Sequence, residues 1–424
     1  MTLRTTAILL ACLSATISTS AQTPDFTQPY VFDPAVKSVQ LSPESNWLLP
    51  PVIIMGGSDR INVSFDYLDY DMHYLRYSVY HCDAMWRPSQ LVESEWVSGF
   101  NQADIEECSQ SRSTFTQYCN YHFSLPNDEM QLLISGNYLL RVYEQDDPDH
   151  VLFQSRFALV ENKVGVQATV TSRTDETYND AHQQLDITLN FRPGSIADPY
   201  GELTTIIRQN TRTDNTTVLT HPLSVGIGTV NYAHQPGLIF NAGNEYRRFE
   251  TVNAHSINMG VESIKYFEPI YHATLYQDEP RAETQYLYDQ TQHGRFFIRN
   301  AESDRFSATE ADYMITHFSL FTGERFTGGK VIVEGEFTDN ISPNQKEMSF
   351  DSNSGCYIAD FMLKQGAYNY QYLFLPDGTA TARTDVIEGD KFQTINNYYI
   401  SVYDRPSGGR YDQLVGFGIV RSGE

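Results

Sequence analysis

The sequence predicts an all-β protein made of tandem β-sandwich domains of the immunoglobulin-like or early-set type. Short runs of alternating apolar and polar residues recur along the 424-residue chain, as they do in strands with one buried face. Aromatic residues make up 13% of the chain, and they favour half-buried pleated surfaces. Turn residues separate the runs, and no long helical pattern interrupts them.

A first domain is predicted over residues 22–162. Its strands are indicated by four alternating runs, at residues 60–68, 75–82, 137–145 and 152–161. Trp86 follows the second run, and a tryptophan after a central strand is typical of immunoglobulin-like and fibronectin-like sandwiches. We therefore expect Trp86 to anchor the core of this domain. One short helix is expected within residues 101–118.

Two further domains are predicted, over residues 163–305 and 306–424. The second is expected to be a β-sandwich with long connections, and its alternating runs lie at residues 183–191, 203–210 and 268–277. The third is expected to be an early-set-like sandwich with strands in series, at residues 313–320, 330–337, 355–363, 367–375 and 397–404.

Residues 1–21 read as a signal peptide. Arg4 supplies the charged start, residues 7–13 are apolar, and residues 19–21 are small, as a cleavage site requires. The alternative is lipoprotein processing at Cys12. No later stretch has about 18 consecutive apolar residues, the length that a transmembrane helix needs. We expect an exported chain without direct membrane insertion.

The chain is strongly acidic, with a formal net charge of −24 at pH 7. Phosphate backbones and anionic lipid head groups repel such a surface, so nucleic acid is excluded as a partner. Two interpretations of the charge stay open. One is an acidic extracytoplasmic protein, and the other is an acidic surface built for a basic partner.

Four cysteines follow the predicted leader: Cys82, Cys108, Cys119 and Cys356. Disulfides form in the oxidising compartments that exported proteins reach. Cys108 and Cys119 are close enough in sequence to close a loop, although sequence alone does not fix connectivity. We expect any disulfide to join this pair and Cys82 and Cys356 to be unpaired. The four cysteines lack the spacing of a zinc site.

The sequence predicts no catalytic residues, no cofactor and no metal. His81 and Cys82 are neighbours on a predicted strand, and such neighbours point to opposite faces, so they cannot form a nucleophile–base pair locally. Cys82 is then a buried structural thiol. The chain has no HExxH, GxSxG or P-loop motif. We therefore expect a protein that is not an enzyme.

Two clusters leave a structural and a functional interpretation open. The segment NAGNEYRRFE carries Tyr246 and the adjacent Arg247 and Arg248, residue types that are favoured at interfaces. It is either a partner contact or a solvated or self-paired cluster, in which the two arginines pair with Glu245 and Glu250 of the same segment. Tyrosines also alternate at three positions of the third domain, either to stack on sugar rings or to pack a sheet face; they are Tyr368, Tyr370 and Tyr372.

A set of segments spanning residues 77–417 resembles one known family. In chain order they are YSVYHCDAMWRPSQL, EWVSGF, YHFSLPN, SGNYLLRVYE, RFALVE, NAGNEYRRFE, GAYNYQYLF and IEGDKFQTINNYYISVYDRPSGGRYDQLVGF. Together they resemble the type IX secretion system plug protein family of Bacteroidota. The family usually has other residues in place of Cys108 and Cys119, so the resemblance does not support their pairing.

The resemblance implies a plug subunit that occludes the periplasmic end of the outer-membrane translocon barrel of type IX secretion, without catalysis. It implies the barrel as partner and a periplasmic location at the outer membrane. We expect the free protein to be monomeric. The alternative is a carbohydrate-binding β-sandwich protein of the periplasm or cell surface, which would use the tyrosines of the third domain.

Overall fold

The structure is a computed structural model that describes residues 28–423. The predicted signal peptide, residues 1–21, and the alternative processing at Cys12 lie outside the described residues. Among residues 28–423, no helix combines the length and the apolar character that a bilayer crossing requires.

The first sandwich comprises residues 30–160. Its strands are β1 Tyr30–Val31, β2 Val36–Pro43, β3 Val52–Ile54, β4 Ile61–Tyr67, β5 Leu75–Cys82, β6 Val97–Gly99, β7 Ala103–Asp104, β8 Cys108–Gln110, β9 Cys119–Leu125, β10 Met130–Leu132, β11 Gly136–Glu144 and β12 Asp147–Val160. One sheet has the order β1-β12-β11-β5-β7, with β3 parallel to β12, and the other has the order β2-β4-β9-β8. Strands β6 and β10 form a small separate ladder.

Period-two burial explains why these residues form a sandwich. In β4, Ile61, Val63 and Phe65 are fully buried, and they face Tyr77 and Val79 of β5 in one apolar core. Side chains on one face of each sheet are thus removed from water while the alternate positions face outward. The core of the first sandwich therefore lies between its two sheets.

The remaining strands form two more sandwiches. They are β13 Val164–Thr171, β14 His182–Phe191, β15 Leu203–Gln209, β16 Thr216–Leu219, β17 Ser224–Gly226, β18 Thr229–Tyr232, β19 Ile239–Asn241, β20 Arg247–Glu250, β21 Val261–Phe267, β22 Ile270–Leu275, β23 Phe296–Ile298, β24 Tyr313–Phe321, β25 Gly329–Glu334, β26 Ser349–Asp351, β27 Cys356–Lys364, β28 Gly366–Pro376, β29 Asn397–Asp404 and β30 Gln413–Arg421. The short helices are α1 Pro199–Glu202 and α2 Ser307–Glu310, with 3₁₀ turns at Glu93–Glu95, Pro236–Leu238, Asp304–Phe306 and Glu336–Thr338.

The second sandwich is built from two separated parts of the chain, residues 164–241 and 397–421. One sheet has the order β13-β14-β18-β17, with β19 on β14, and the other has the order β16-β15-β29-β30. Strand β15 pairs antiparallel with β29 along its whole length. Leu185, Ile207 and Ile400 meet in its core, so the last strands of the chain complete this sandwich.

The third sandwich comprises residues 247–376. One sheet has the order β20-β28-β23, with β25 on β28, and the other has the order β21-β22-β24-β27-β26. Its core is rich in aromatic side chains, among them Phe249, Phe318 and Phe361. This sandwich is inserted in the chain between the two parts of the second sandwich.

The strand pairing corrects the predicted domain boundaries at two places. Residues 247–298 were expected in the second domain, yet their strands β20 and β23 pair with β28 of the third sandwich. Residues 397–421 were expected in the third domain, yet β29 pairs with β15 and β30 pairs with β29. The physical reason is that partner strands lie far apart in the chain, and alternation within a strand does not reveal which strand it joins.

Trp86 is not the core anchor that the sequence predicts. The strand ends at Cys82, and the Asp83 carboxylate accepts hydrogen bonds from the backbone N–H groups of Met85 (2.9 Å) and Arg87 (2.8 Å). The resulting turn places Trp86 at φ +65° and directs its ring outward beneath the guanidinium of Arg156, 4.6 Å from the ring centroid. The buried tryptophan of this core is Trp96, which is 5% exposed.

Most predicted strands are confirmed, and the predicted helix is wrong. The runs at residues 75–82 and 397–404 coincide with β5 and β29, and the all-β fold of tandem sandwiches is confirmed. Residues 101–118 contain strands β7 and β8 in place of a helix. Each pairs with a neighbouring strand, β7 with β5 and β8 with β9, and this pairing outweighs any weak helical tendency.

Candidate functional site

The joint between the first and third sandwiches is closed by a buried ion pair. The ammonium of Lys364 lies 2.6 Å from the carboxylate of Asp66, and both side chains are 1% exposed. Lys364 also donates to the Ala308 carbonyl at 2.7 Å, and the Tyr313 hydroxyl donates to Asp66 at 2.6 Å. Burial lowers the pKa of Lys364, and the charge of Asp66 opposes that shift.

Two further side chains of the first sandwich complete this pair. The amide of Asn120 donates to the second oxygen of Asp66 at 2.8 Å. The ring of Tyr118 lies 4.1 Å from the Lys364 nitrogen, a cation–π distance. Because the charges are fully satisfied, removing one partner leaves an uncompensated buried ion, at a cost of roughly 3–5 kcal/mol. This pair and its neighbours, from residues on both sandwiches, are called the ion-pair joint below.

A second contact fixes the loop between β8 and β9 against the third sandwich. The carboxylate of Asp312 accepts backbone N–H groups from Phe115 at 2.7 Å and Thr116 at 3.0 Å. The N–H of Arg112 donates to the Thr309 carbonyl at 2.9 Å. Backbone groups of one sandwich thus find their hydrogen-bond partners on the other, which orients the two bodies.

The first and second sandwiches meet through continuous backbone and buried polar contacts. The N–H of Glu161 donates to the Leu414 carbonyl and that of Lys163 to the Val415 carbonyl, at 2.9 and 2.7 Å. The buried Tyr403 hydroxyl donates to Asn137 at 2.8 Å. Glu161 and Lys163, where the chain passes from the first sandwich to the second, are therefore both hydrogen-bonded to β30.

Arg212 joins the second sandwich to Ala382, which follows β28 and packs against Ile332 and Leu373 of the third sandwich. Its guanidinium donates to the Ala382 carbonyl at 2.6 Å and to the carboxylate of Asp214 at 2.7 Å. Asp214 in turn accepts the N–H of Ala382 at 2.8 Å. Arg212 is 4% exposed, so these bonds form away from competing water and add stiffness to the joint.

Tyr246 lies in the interior and Arg247 and Arg248 have counterions within the chain, which favours the structural interpretation of this segment over a partner contact. Tyr246 is 2% exposed. Arg247 contacts Asp278 at 2.6 Å and Glu388 at 3.1 Å. The predicted pairing within the segment itself is wrong, because Glu388 lies 141 positions away in the sequence.

Arg248 is paired in the same way, and Glu388 has a second arginine. Both nitrogens of the Arg248 fork contact Asp289, at 2.9 and 2.7 Å. Arg281 donates to Glu388 at 2.5 Å. Burial alone would raise the pKa of Glu388, but the charges of Arg247 and Arg281 outweigh it and lower the pKa to about 2.

Cys82, Cys108, Cys119 and Cys356 are all free thiols in this structure, and the expectation that any disulfide joins Cys108 to Cys119 stays a prediction. Strands β8 and β9 pair Cys108 with Tyr121 and Cys119 with Gln110, so the two cysteines lie diagonally across the ladder. The Cys119 thiol also contacts the Tyr70 carbonyl at 3.4 Å. Burial raises the pKa of Cys119 to about 12, which keeps this thiol protonated.

His81 and Cys82 have separate partners, as the strand geometry predicts. The His81 Nε2 lies 3.2 Å from the Ser135 carbonyl and the Cys82 thiol 3.6 Å from the Tyr80 carbonyl. Burial lowers the pKa of His81 to about 4 and raises that of Cys82 to about 12. A neutral imidazole and a protonated thiol on opposite faces make no nucleophile. Among residues 28–423, no group of three or more His, Cys, Asp or Glu side chains could hold a metal ion.

The alternating tyrosines of the third domain pack its core. Tyr368, Tyr370 and Tyr372 are 1%, 4% and 0% exposed. Tyr368 stacks on Phe249 with ring centroids 5.0 Å apart. The carbohydrate-binding alternative therefore loses the sugar-stacking surface on which it depended, and the packed-face interpretation is confirmed.

An aromatic cluster at the rim of the first–third joint was missed by the sequence reasoning. The ring of Phe115 lies 4.5 Å from that of Tyr266 and 5.4 Å from that of Tyr271. Phe115 is 55% exposed and Tyr266 is 41% exposed. These three residues, the rim cluster, come from two sandwiches, so no single stretch of sequence reveals them. Exposed aromatic groups of this kind are enriched in protein interfaces.

Two comparisons with known proteins give a match, one over the first sandwich and one over most of the chain. Residues 36–161 match the family model for the type 9 secretion system plug protein 1st domain. The crystal structure of a hypothetical protein from Parabacteroides merdae is 38% identical, has a TM-score of 0.91, and matches over 93% of this chain and 99% of that chain. No curated protein matches.

Two other solved structures resemble the chain too weakly to carry an argument. The structure of manganese lipoxygenase of Gaeumannomyces graminis with part of zonadhesin of Komagataella pastoris is 10% identical, with a TM-score of 0.14 over 91% of this chain and 99% of that chain. A biofilm-associated protein BSP domain is 7% identical, with a TM-score of 0.19 over 94% of this chain and 61% of that chain.

Proposed function

Because the chain belongs to the type IX secretion system plug protein family, we propose that it occludes the periplasmic end of the outer-membrane translocon barrel without catalysing a reaction. The match of residues 36–161 to the first domain of that family carries the proposal. The proposed location is the periplasm, after removal of residues 1–21, with the protein held peripherally at the outer membrane by the barrel.

The joints between the sandwiches support a role as a stiff body. A plug must resist deformation while it covers a wide opening, and its own domains must not move apart. The ion-pair joint and the Arg212 contacts hold neighbouring sandwiches through buried, satisfied groups. Interdomain contacts of ordinary polar surface would leave the domains free to move, so these joints favour an occluding role over a flexible linker role.

The candidate reactive groups also favour a role without catalysis. An exposed thiolate beside a base would indicate nucleophilic chemistry. The thiol of Cys82 is instead buried and protonated, and His81 faces the other side of the strand. Both side chains have structural contacts that account for their positions.

The rim cluster is the surface that we propose contacts the barrel. It is exposed, aromatic and supported from both sandwiches, so a partner can bury it without reorganising the backbone. The test is affinity capture of the tagged full-length protein from solubilised outer membranes, with mass spectrometry of the captured proteins. Tyr266→Ser should reduce capture of the barrel several-fold. Tyr200→Ser should not, although this tyrosine of the second sandwich is more exposed, at 54% against 41%.

Occlusion itself is tested in cells. A strain that lacks the protein should still secrete cargo but should admit large hydrophilic antibiotics such as vancomycin, and the intact gene should restore exclusion. Unchanged permeability together with no captured barrel would overturn the proposal. Light scattering of the purified protein should give the mass of a monomer.

A further inference from the structure

A cleft of about 690 Å³ lies where the three sandwiches meet. Its floor is the outer face of the sheet β16-β15-β29-β30. Residues of β15 alternate, so Leu203, Thr205 and Ile207 are buried while Ile206 and Arg208 face the cleft. The walls come from the first and third sandwiches. A volume of this size is typical of sites for small ligands or short peptide segments.

The floor presents two rows of side chains across the sheet. Strand pairing aligns Val218, Ile206 and Ser401 in one row, and Thr216, Arg208 and Tyr399 in the next. Strand β16 is the outermost strand of this sheet, and Val218 is 41% exposed. The floor therefore combines apolar contact surface with a strand edge whose backbone groups can pair with an extended chain.

Arg208 occupies the middle of this floor without a counterion. Its guanidinium lies 5.3 Å from the Tyr399 ring centroid. Among the described residues, no carboxylate forms an ion pair with it, in contrast to Arg295 on the facing wall, which pairs with Glu336 at 3.3 Å. Burial lowers the pKa of Arg208; the Asp339 carboxylate, which also lines the cleft, raises it, and the charge of Arg295 lowers it. An anion between Arg208 and Arg295 would relieve the repulsion of these two like charges.

The wall from the first sandwich carries a residue in a strained conformation. Trp86 has a φ of +65°, which is costly for a bulky side chain and is found chiefly where the surroundings impose it. The Asp83 turn and the guanidinium of Arg156 hold the indole at the edge of the cleft. The lining of this cleft has four arginines against the two carboxylates of Glu336 and Asp339, an excess of positive charge in a chain whose net charge is −24.

We propose that this cleft binds an extended peptide segment that carries a carboxylate side chain. The carboxylate contacts Arg208, apolar side chains of the segment contact Ile206 and Trp86, and its backbone lies along β16. A peptide fits better than a free carboxylate because the apolar rows and the strand edge extend well beyond the guanidinium. The inference does not depend on occlusion of the translocon.

The test uses fluorescence polarisation with the full-length protein and a labelled hexapeptide of alternating Glu and Val. The same peptide with Lys in place of Glu is the charge control, and succinate is the competitor that supplies carboxylates without a chain. We expect saturable binding of the Glu peptide that weakens with salt, and no binding of the Lys peptide. Binding of both peptides alike, no binding up to millimolar concentration, or full competition by succinate at equal carboxylate concentration would overturn the proposal.

Two variants place the binding in the cleft. Arg208→Gln breaks no direct ion pair among the described residues and should weaken binding about tenfold, as loss of a charge-assisted hydrogen bond does. Val218→Glu, at an exposed position, should weaken it by charge repulsion. The matched control is Arg173→Gln, because Arg173 also lies over a tyrosine ring, 5.1 Å from that of Tyr178, but outside the cleft. Equal loss in the control, or no loss in either cleft variant, would refute the assignment. Thermal unfolding of each variant verifies that it is folded.

Discussion

The ion-pair joint and the central cleft each hold a cation that is partly or wholly removed from water, but among residues 28–423 only the joint gives its cation a counterion. At the joint, the cation of Lys364 is 1% exposed and has Asp66, the Ala308 carbonyl and a tyrosine ring around it. In the cleft, Arg208 is half-buried beside a tyrosine ring but lacks an ion-pair partner among the described residues. A cation with its counterion inside the protein closes a seam, whereas a cation without one leaves a place for a ligand.

The largest expected loss of stability comes from breaking the ion-pair joint. Lys364→Met removes the cation and leaves Asp66 buried, so the free energy of unfolding should fall by roughly 3–5 kcal/mol. Urea unfolding measures this. The double variant Asp66→Asn with Lys364→Met removes both charges and should regain most of the loss. A single variant as stable as the parent protein would mean that the joint is not closed in solution.

Trp96 and Trp86 allow the stability contribution of a core side chain to be compared with that of a side chain on the cleft wall. Trp96→Ala removes a buried core side chain and should cost about 3–5 kcal/mol. Trp86→Ala removes a ring that lies under Arg156 at the edge of the cleft, and should cost under about 1 kcal/mol. Thermal unfolding of both variants gives the comparison, and a larger loss for Trp86 would reverse the assignment of the core.

The buried carboxylate of Glu388, paired with Arg247 and Arg281, should affect the pH dependence of stability. The folded pKa of Glu388 is lowered to about 2, so its contribution is fully present above the unfolded value near 4.5 and is lost as pH falls toward 2. The integrated loss is about 3 kcal/mol. Urea unfolding from pH 6 to pH 2 measures it. Glu388→Gln should flatten this part of the profile, and an unchanged profile would exclude Glu388 as its source.

The smallest stability effect is expected at the rim cluster. Tyr266→Ser alters a partly exposed side chain, so the free energy of unfolding should change by less than about 0.5 kcal/mol, even though capture of the barrel should fall. Equal measurements on Tyr200→Ser separate a contact role from a folding role. A strongly destabilised Tyr266→Ser protein would show that the cluster belongs to the joint rather than to a partner surface.

Local sequence patterns predicted the strands better than their assembly. Residues 75–82 and 397–404 were predicted at their observed bounds, because alternation is a property of a single strand. The counterion of Arg247 could not be predicted, since Glu388 lies 141 positions away. Trp86 was misplaced because a side-chain cap from Asp83 ends the strand, and such a cap outweighs the usual position of a tryptophan in these sandwiches.

The candidate site was predictable only where one segment supplies it. The mutual orientation of His81 and Cys82 follows from strand geometry alone, and the structure agrees. The cleft and the rim cluster combine side chains from two or three sandwiches, so their formation depends on how the sandwiches pack. No spacing in the sequence encodes that packing.

The split second sandwich determines the order in which the three sandwiches can be completed during synthesis. Residues 164–241 emerge from the ribosome with β15 lacking its neighbour, and that neighbour is β29, residues 397–404. The first sandwich is complete long before, and the third is synthesised whole in the interval. The middle of the molecule is therefore the last part to be finished, because domains complete themselves as their strands become available. A chain that stops early would keep its first and third bodies but would have an open sheet where the cleft floor belongs.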